Sequence, residues 1–215
     1  MDRESALVQS VLNWADANLR CYEWRRDRTP YKVMVAEFLL KRTTSKAAAH
    51  VYSDLITKYP DINSLADAKK GDIQRQVKYI GLVNQRAEGI LKAANCVKKR
   101  YNGELPASYE QLLEIPLVGQ YTAGCILSFG MNIPTHVVDS NVQRVLLRVF
   151  TNRLGVDPAN RAVLEVARSL LPQKEHVKYN YAMIDFGSLV CTYRNCCGNG
   201  CPLKNHCDTY LTSSG

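Results

Sequence analysis

The stretch that decides how the chain is read is QLLEIPLVGQYTAGCILSFGMNIPTHVVDSNVQRVLLRVF, residues 111–150. It opens as a short helix whose start has capping-box spacing, Ser108 followed by Gln111. Residues 115–119 then read as a tight hairpin, and a new helix opens at Gln120–Tyr121. After a link, a lone acid, Asp139, stands at the head of a further helix running to about Phe150. A hairpin feeding a helix N-terminus offers backbone N–H groups to a phosphate, which holds an anion without using a side chain. The plain reading of Asp139 is an N-cap, a common role for aspartate. A chemical role for its carboxylate is the alternative, and the two are compatible.

Working outward, the 215-residue chain is long enough for one large domain or two small ones. Hydrophobic residues make up 46%, ample for a folded core, and no apolar run reaches the length of a membrane span. The start, MDRESALVQSVLNW, has no secretory pattern, so the expectation is an intracellular protein of cytoplasm or nucleoid. The net charge of +8 favours a polyanionic partner, though many proteins that bind no nucleic acid share it. Five of the eight cysteines crowd into residues 191–207, whereas Cys21, Cys96 and Cys125 lie singly in apolar, helix-like stretches and read as core. In a reducing compartment such a crowd argues for metal or iron–sulfur ligation over disulfides.

Helical periodicity runs through the chain. Val8, Val11, Leu12 and Leu19 mark a first helix, broken at residues 22–26. Thr29-Pro30 starts a second, with proline at a tolerated first-turn position and one acid, Glu37, inside an apolar run. A helix over about 45–59 follows, then a turn cluster at 60–64. Gly71-Asp72 reads as a stop and a cap for a short helix ending near Tyr79. The turn at 80–84 leads into a long helix from Gln85 to about Arg100, with basic residues at its C-terminal end as the helix dipole prefers. Downstream, Asp157-Pro158 reads as N-cap plus first residue of a helix ended by Pro172, and a last helix spans about 177–191. No convincing strand, repeat or low-complexity linker is found, and the expected fold is all-α with ten or more helices.

Several collinear pieces carry a family resemblance: PYKVMVAEFLLKRTT (30–44), YIGLVNQRAEGI (79–90), IPLVGQYTAG (115–124), HVVDSNVQRVL (136–146) and YNYAMIDFGSLVC (179–191). Together they resemble the helix-hairpin-helix DNA glycosylases of the MutY and endonuclease III superfamily, most of all the Mig-type thymine mismatch glycosylases. The resemblance implies two helical domains flanking a cleft: a six-helix block over 26–134, and a second domain made of 1–25 with 135–215. It implies double-stranded DNA with a mismatched or damaged base as partner, bound by a monomer.

The resemblance also assigns roles. Asp139 falls where the family keeps its catalytic carboxylate. Base release from a flipped nucleotide builds positive charge on the deoxyribose, which an ionised carboxylate stabilises or attacks through an oriented water. Tyr121 stands where glycosylases that also cut the backbone place a Schiff-base lysine; tyrosine cannot form that adduct, so a monofunctional hydrolase is implied, with Tyr121 lining the pocket. Glu37 matches the family's base-pocket glutamate, and as an acid among Val35, Phe38, Leu39 and Leu40 it needs a cleft or a partner. Leu82, with Lys41 or Arg42, matches the residues that fill the gap left by the extruded base. Val118, Gly119 and Gln120 of the hairpin are the phosphate contacts, and Ser45 and Tyr181 occupy pocket-facing places.

The tail reads Cys191-x5-Cys197-x3-Cys201-x5-Cys207, against the family's C-x6-C-x2-C-x5-C for a [4Fe–4S] cluster. The second ligand is displaced by one residue, with Cys196 as the adjacent alternative to Cys197. Four thiolates suit iron–sulfur or structural zinc; the resemblance implies the cluster, holding a basic loop with Arg194 and Lys204 near phosphate. Three departures bear on function. Leu117 replaces the first glycine of the usual L-P-G-V-G hairpin, which would strain a position needing positive φ. The chain ends soon after Cys207, without the domain by which MutY recognises oxidised guanine, and Ser45 and Tyr181 match neither branch cleanly. The expected substrate is thymine or uracil opposite guanine; adenine excision, another modified base, a Schiff-base lyase using Lys41, and a silent DNA-binding module are the alternatives.

Overall fold

The computed structural model describes residues 2–155, 158–194 and 200–213, and among them every regular element is helical. The chain divides into two compact units, one formed by residues 1–20 with 134–215 and the other by residues 21–133. α1 (Arg3–Asn18) opens the first unit. Asp2 caps it by accepting from the Ser5 N–H, and Leu7, Val11, Leu12 and Ala15 form its buried stripe at helical spacing.

The second unit runs α2 (Glu23–Arg26), α3 (Pro30–Leu40), α4 (Ser45–Lys58), α5 (Ile62–Ala66), α6 (Lys70–Val77), a 3₁₀ turn (Lys78–Ile80), α7 (Val83–Arg100), α8 (Tyr109–Leu113) and α9 (Gln120–Cys125). α9 continues directly into a π-helical segment, Ile126–Gly130. α3 is buried on every face from Val33 to Leu39, with Met34, Val35 and Leu39 fully buried. Thr29 caps it and Pro30 occupies the first turn, as its sequence requires. The π segment packs against it, and Gly130 permits the approach: a Cβ there would lie 2.7 Å from the Pro30 Cα.

The first unit resumes with α10 (Ser140–Val149), α11 (Thr151–Leu154), α12 (Asn160–Ser169), α13 (His176–Leu189), a 3₁₀ turn (Lys204–His206) and α14 (Asp208–Ser213). α13 is buried from His176 to Gly187 on most faces and packs against α1 and α10. Its Asp185 is fully buried, accepting from the Arg20 backbone N–H (2.8 Å) and side-chain Nε (2.6 Å), which ties the end of the N-terminal segment to this helix. Removing one member of such a buried pair costs about 3–5 kcal/mol, because the other charge is left uncompensated.

The structure corrects several local expectations. Residues 22–26, expected as a break, contain α2, and the turn cluster at 60–64 starts α5, where Asp61 and Ser64 form a reciprocal capping box. Gly71-Asp72 is no stop and cap: α6 begins at Lys70, with Asp72 in its first turn, where an acid favours the dipole. Pro158 is not the first residue of α12, which opens at Asn160 after Ala159; Asp157, the proposed cap, lies outside the described residues. α13 is followed by α14 and is therefore not the last helix.

Candidate active site and cysteine tail

In the unit of residues 21–133, the hairpin after α8 is built as a chain of backbone bonds. Ile115 N–H donates to the Leu112 carbonyl (3.1 Å) and Val118 N–H to the Ile115 carbonyl (3.0 Å). The Val118 side chain is buried at 6% exposure and its N–H is already used, so Val118 anchors the turn from inside. Gly119 and Gln120 are exposed, and Gly119 caps α9 without any side-chain oxygen, so no cap side chain competes with an outside acceptor at the head of α9. A Cβ on Gly119 would meet nothing within 4 Å, so the approach to those groups is open. Tyr121 is half-buried in that first turn.

Leu117 has φ 68°, the left-handed region that a glycine would enter without cost. Two features accommodate it. Its side chain lies over Gly89 of α7, where a Cβ would come 2.5 Å from Leu117 Cδ1 and 2.8 Å from its Cγ. Its carbonyl accepts from the Lys41 ammonium. Lys41 is the C-cap residue of α3, and its pKa is lowered, chiefly by burial; the Glu37 carboxylate one turn earlier opposes that shift and Arg86 adds to it. Glu37 itself is 8% exposed within α3, so the acid expected to need a partner is held in the electrostatic reach of Lys41.

Arg42 (φ 54°) and Leu82 (φ 52°) are also left-handed, and both are exposed, Leu82 at 42%. Leu82 stands as the N-cap of α7, directly after Gly81 (φ 72°). Ser45 is partly exposed at the first position of α4, after the cap Thr44.

In the unit formed by residues 1–20 and 134–215, Asp139 is the N-cap of α10 and is partly exposed. One oxygen, Oδ1, accepts from the backbone N–H groups of Asn141 (2.9 Å) and Val142 (2.8 Å). The other, Oδ2, accepts from Asn141 Nδ2 (2.9 Å). A carboxylate has about four acceptor positions, so among the described residues three are committed and the remaining one lies on Oδ2. The Asn141 Oδ1 accepts from Arg144 (2.9 Å), which also donates to the carbonyls of Gly187 and, through Nε, Cys191 (2.9 Å). Gly187 is required there: a Cβ would lie 2.8 Å from both the Cβ and the carbonyl oxygen of Asn141. Tyr181 is 8% exposed on α13, so it belongs to the packed face of that helix, and it sits in a different unit from Ser45.

Of the cysteine tail, Cys191, Cys201 and Cys207 line one small cavity with Phe186, Leu203 and Tyr210. Cys191 and Cys207 are buried. Arg148 donates to the Cys191 Sγ (3.4 Å) and to the Thr192 carbonyl (2.7 Å), and Cys207 Sγ lies 3.3 Å from the Arg148 carbonyl. Three cysteine sulfurs on one cavity are the donor type that suits a thiolate-bound metal or iron–sulfur centre. Cys196 and Cys197 lie outside the described residues, and among the described residues no three His, Cys, Asp or Glu side chains converge as a metal-binding group. Arg194 and Lys204 are exposed.

Sequence reading missed Arg86, Gly89, Asn141 and Arg144. Arg86 looked like one more charge on a helix, and only its place one turn before Ile90, on the apolar face of α7, hinted otherwise. Asn141 follows Asp139 by two residues, a spacing with no signal of its own.

Residues 35–172 match the family described as HhH-GPD superfamily base excision DNA repair protein. Thymine-DNA glycosylase of Aeropyrum pernix is 31% identical over 97% of this chain and 96% of its own. Adenine DNA glycosylase of Buchnera aphidicola is 32% identical over 95% of this chain, which spans only 58% of that protein's length. The solved structure of a thermostable thymine-DNA glycosylase superposes with a TM-score of 0.93 at 28% identity, covering 98% of this chain and 97% of that one. With more than half its length matched and the hairpin and Asp139 both inside the match, the chain belongs to the HhH-GPD superfamily of base excision DNA repair proteins.

Proposed function

We propose that the protein is a DNA glycosylase that hydrolyses the N-glycosidic bond of thymine or uracil mispaired with guanine and leaves an abasic site. The observation that carries the reading is the geometry of Asp139. Its Oδ1 is fixed by two backbone N–H groups while Oδ2 retains an open acceptor position. As the bond from C1′ to the base nitrogen breaks, the electron pair leaves with the base and positive charge grows on the sugar. A carboxylate oriented before the reaction stabilises that charge without reorganising. Water then supplies the new oxygen at C1′ and loses its proton to a base.

Glu37 is assigned to proton handling or hydrogen bonding on the extruded base, with Tyr121 and Ser45 of the same unit as further base contacts. Gly119 and Gln120 would hold a backbone phosphate through their N–H groups, with Val118 fixing the turn from beneath. Lys41, Arg42 and Leu82 would meet the opened duplex. Cys191, Cys201 and Cys207, with Cys196 or Cys197, would ligate a [4Fe–4S] cluster, which cross-links the tail when bound.

Tyrosine at position 121 supports hydrolysis without strand cleavage. The thymine-releasing relative, which this chain matches along nearly its full length, supports the pyrimidine substrate. The adenine glycosylase relative keeps adenine release as the second reading. Single-turnover base release from duplexes carrying G·T, G·U, A·G and A·8-oxoguanine tests both, with strand scission read before and after alkali. Thymine or uracil release with nicking only after alkali is expected. Adenine release would replace the first reading by the second, and nicking without alkali would refute the monofunctional assignment.

A further inference from the structure

Arg86 lies in the second turn of α7 with only 5% of its surface exposed. Among the described residues its five side-chain hydrogen bonds all end on backbone carbonyls. Three of these belong to the end of α3: Phe38, Leu39 (3.1 Å) and the C-cap Lys41 (2.8 Å). The other two, Ile80 and Gly81 (both 3.3 Å), form the turn before α7. The bonded carbonyls of Lys41 and Gly81 each immediately precede a non-glycine residue in the left-handed region, Arg42 and Leu82. Such residues cost about 1–3 kcal/mol each and persist only where the surroundings over-determine them. One guanidinium therefore braces both kinks and sets the distance between them by its own planar width.

Burying a cation is expensive, and an apolar side chain would fill the same space at lower cost. The negative end of the α3 dipole offsets part of that expense. What the guanidinium adds over an apolar filler is direction, since five N–H donors in a fixed fork specify where each carbonyl must lie. The two turns it joins carry the exposed residues of this region: Lys41 and Arg42 on one, Leu82 and the 78%-exposed Tyr79 on the other.

We infer that Arg86 is a positioning residue for base extrusion: it locks the Leu82 turn to the Lys41–Arg42 turn so that the wedge enters DNA without yielding. The inference rests on the DNA glycosylase reading above. A side chain that unstacks a base step must push against a stiff support, because a turn that deforms instead loses the energy meant for the duplex.

The test uses the intact, metal-loaded protein and two duplexes, one undamaged and one with a tetrahydrofuran abasic-site analogue opposite guanine. Unstacking is read from 2-aminopurine beside the site. Arg86→Met keeps the length and removes the donors, Arg86→Lys keeps the charge and loses the fork, and Leu82→Ala removes the wedge. Arg86→Met is expected to lose about tenfold or more of the preference for the abasic duplex, together with the 2-aminopurine signal, while affinity for undamaged duplex changes little. Arg86→Lys should fall between Met and wild type. In the Leu82→Ala background either Arg86 substitution should cost nothing further, because the turn it braces no longer carries a wedge. Additive losses, or an Arg86→Lys protein with wild-type preference and signal, would overturn the inference; this second variant serves if Arg86→Met does not fold. Equal binding of the wild type to both duplexes would instead bring down the glycosylase reading, and the inference with it.

Discussion

Leu117 and Gly89 make a matched pair whose energetics can be worked in advance. Adding a methyl group at Gly89 puts a carbon 2.5 Å from Leu117 Cδ1 and 2.8 Å from Cγ, so the leucine must change rotamer or the hairpin must move. Overpacking of this kind costs about 1–3 kcal/mol. The same substitution replaces glycine inside a helix, which returns about 1 kcal/mol. Gly89→Ala alone should therefore leave the protein neutral to about 2 kcal/mol less stable. In a Leu117→Gly background the obstacle is gone, and the same change should stabilise by up to about 1 kcal/mol. The sign reversal is the signature, and the coupling between the sites should be about 1–3 kcal/mol. In a protein of this size 1 kcal/mol moves the thermal midpoint by about 2–4 °C, so circular dichroism melts of the four proteins resolve it. Effects of Gly89→Ala that agree within about 0.5 kcal/mol in the two backgrounds would refute the pairing.

Asp139→Asn should lower single-turnover base release by about a hundredfold or more. DNA binding should stay near wild type, because the amide oxygen still caps α10, while loss of the Asn141 Nδ2 bond should cost about 1 kcal/mol of stability; near-normal turnover would sink the catalytic assignment. The purified protein should be brown, with about four iron and four sulfide per chain, and Cys191→Ser should lose the colour. A colourless, zinc-containing and fully active preparation would refute the cluster. Burial, reinforced by the Arg168 charge, holds His136 below its ordinary pKa of 6.5. The unfolded chain then binds the proton first, so stability should fall as pH drops through that value, and His136→Gln should flatten the profile between about pH 7.5 and 5.5. An unchanged slope in the variant would contradict it.

The features legible in the sequence are those written in neighbouring residues. Thr29-Pro30, Ser108 and Asp139 announce helix starts because a cap bonds to amides only two or three residues away. α5 escaped because five residues show no period, and its Asp61–Ser64 box looked like turn chemistry. The start of α6 was misplaced because Gly71 and Asp72 sit inside a helix that context, not propensity, supports. Leu117 was correctly singled out as a glycine position. Its relief by Gly89 and Lys41 was invisible, since those partners lie 28 and 76 residues away. Arg86 was hidden for the same reason: a charge on a helix reads as solvent-facing until the carbonyls around it are known.

The two oxygens of Asp139 have separate employments, and this fixes the length of the side chain as firmly as its charge. Glutamate would carry the same carboxylate one methylene further out. It could keep the α10 amides and withdraw the open oxygen from the sugar, or reach the sugar and release the helix, but it could not do both. Under the proposed reaction this position is closed to the most conservative exchange available. Selection acting on repair and selection acting on folding would therefore remove the same variants, leaving no neutral route by which the chemistry could drift to another carboxylate.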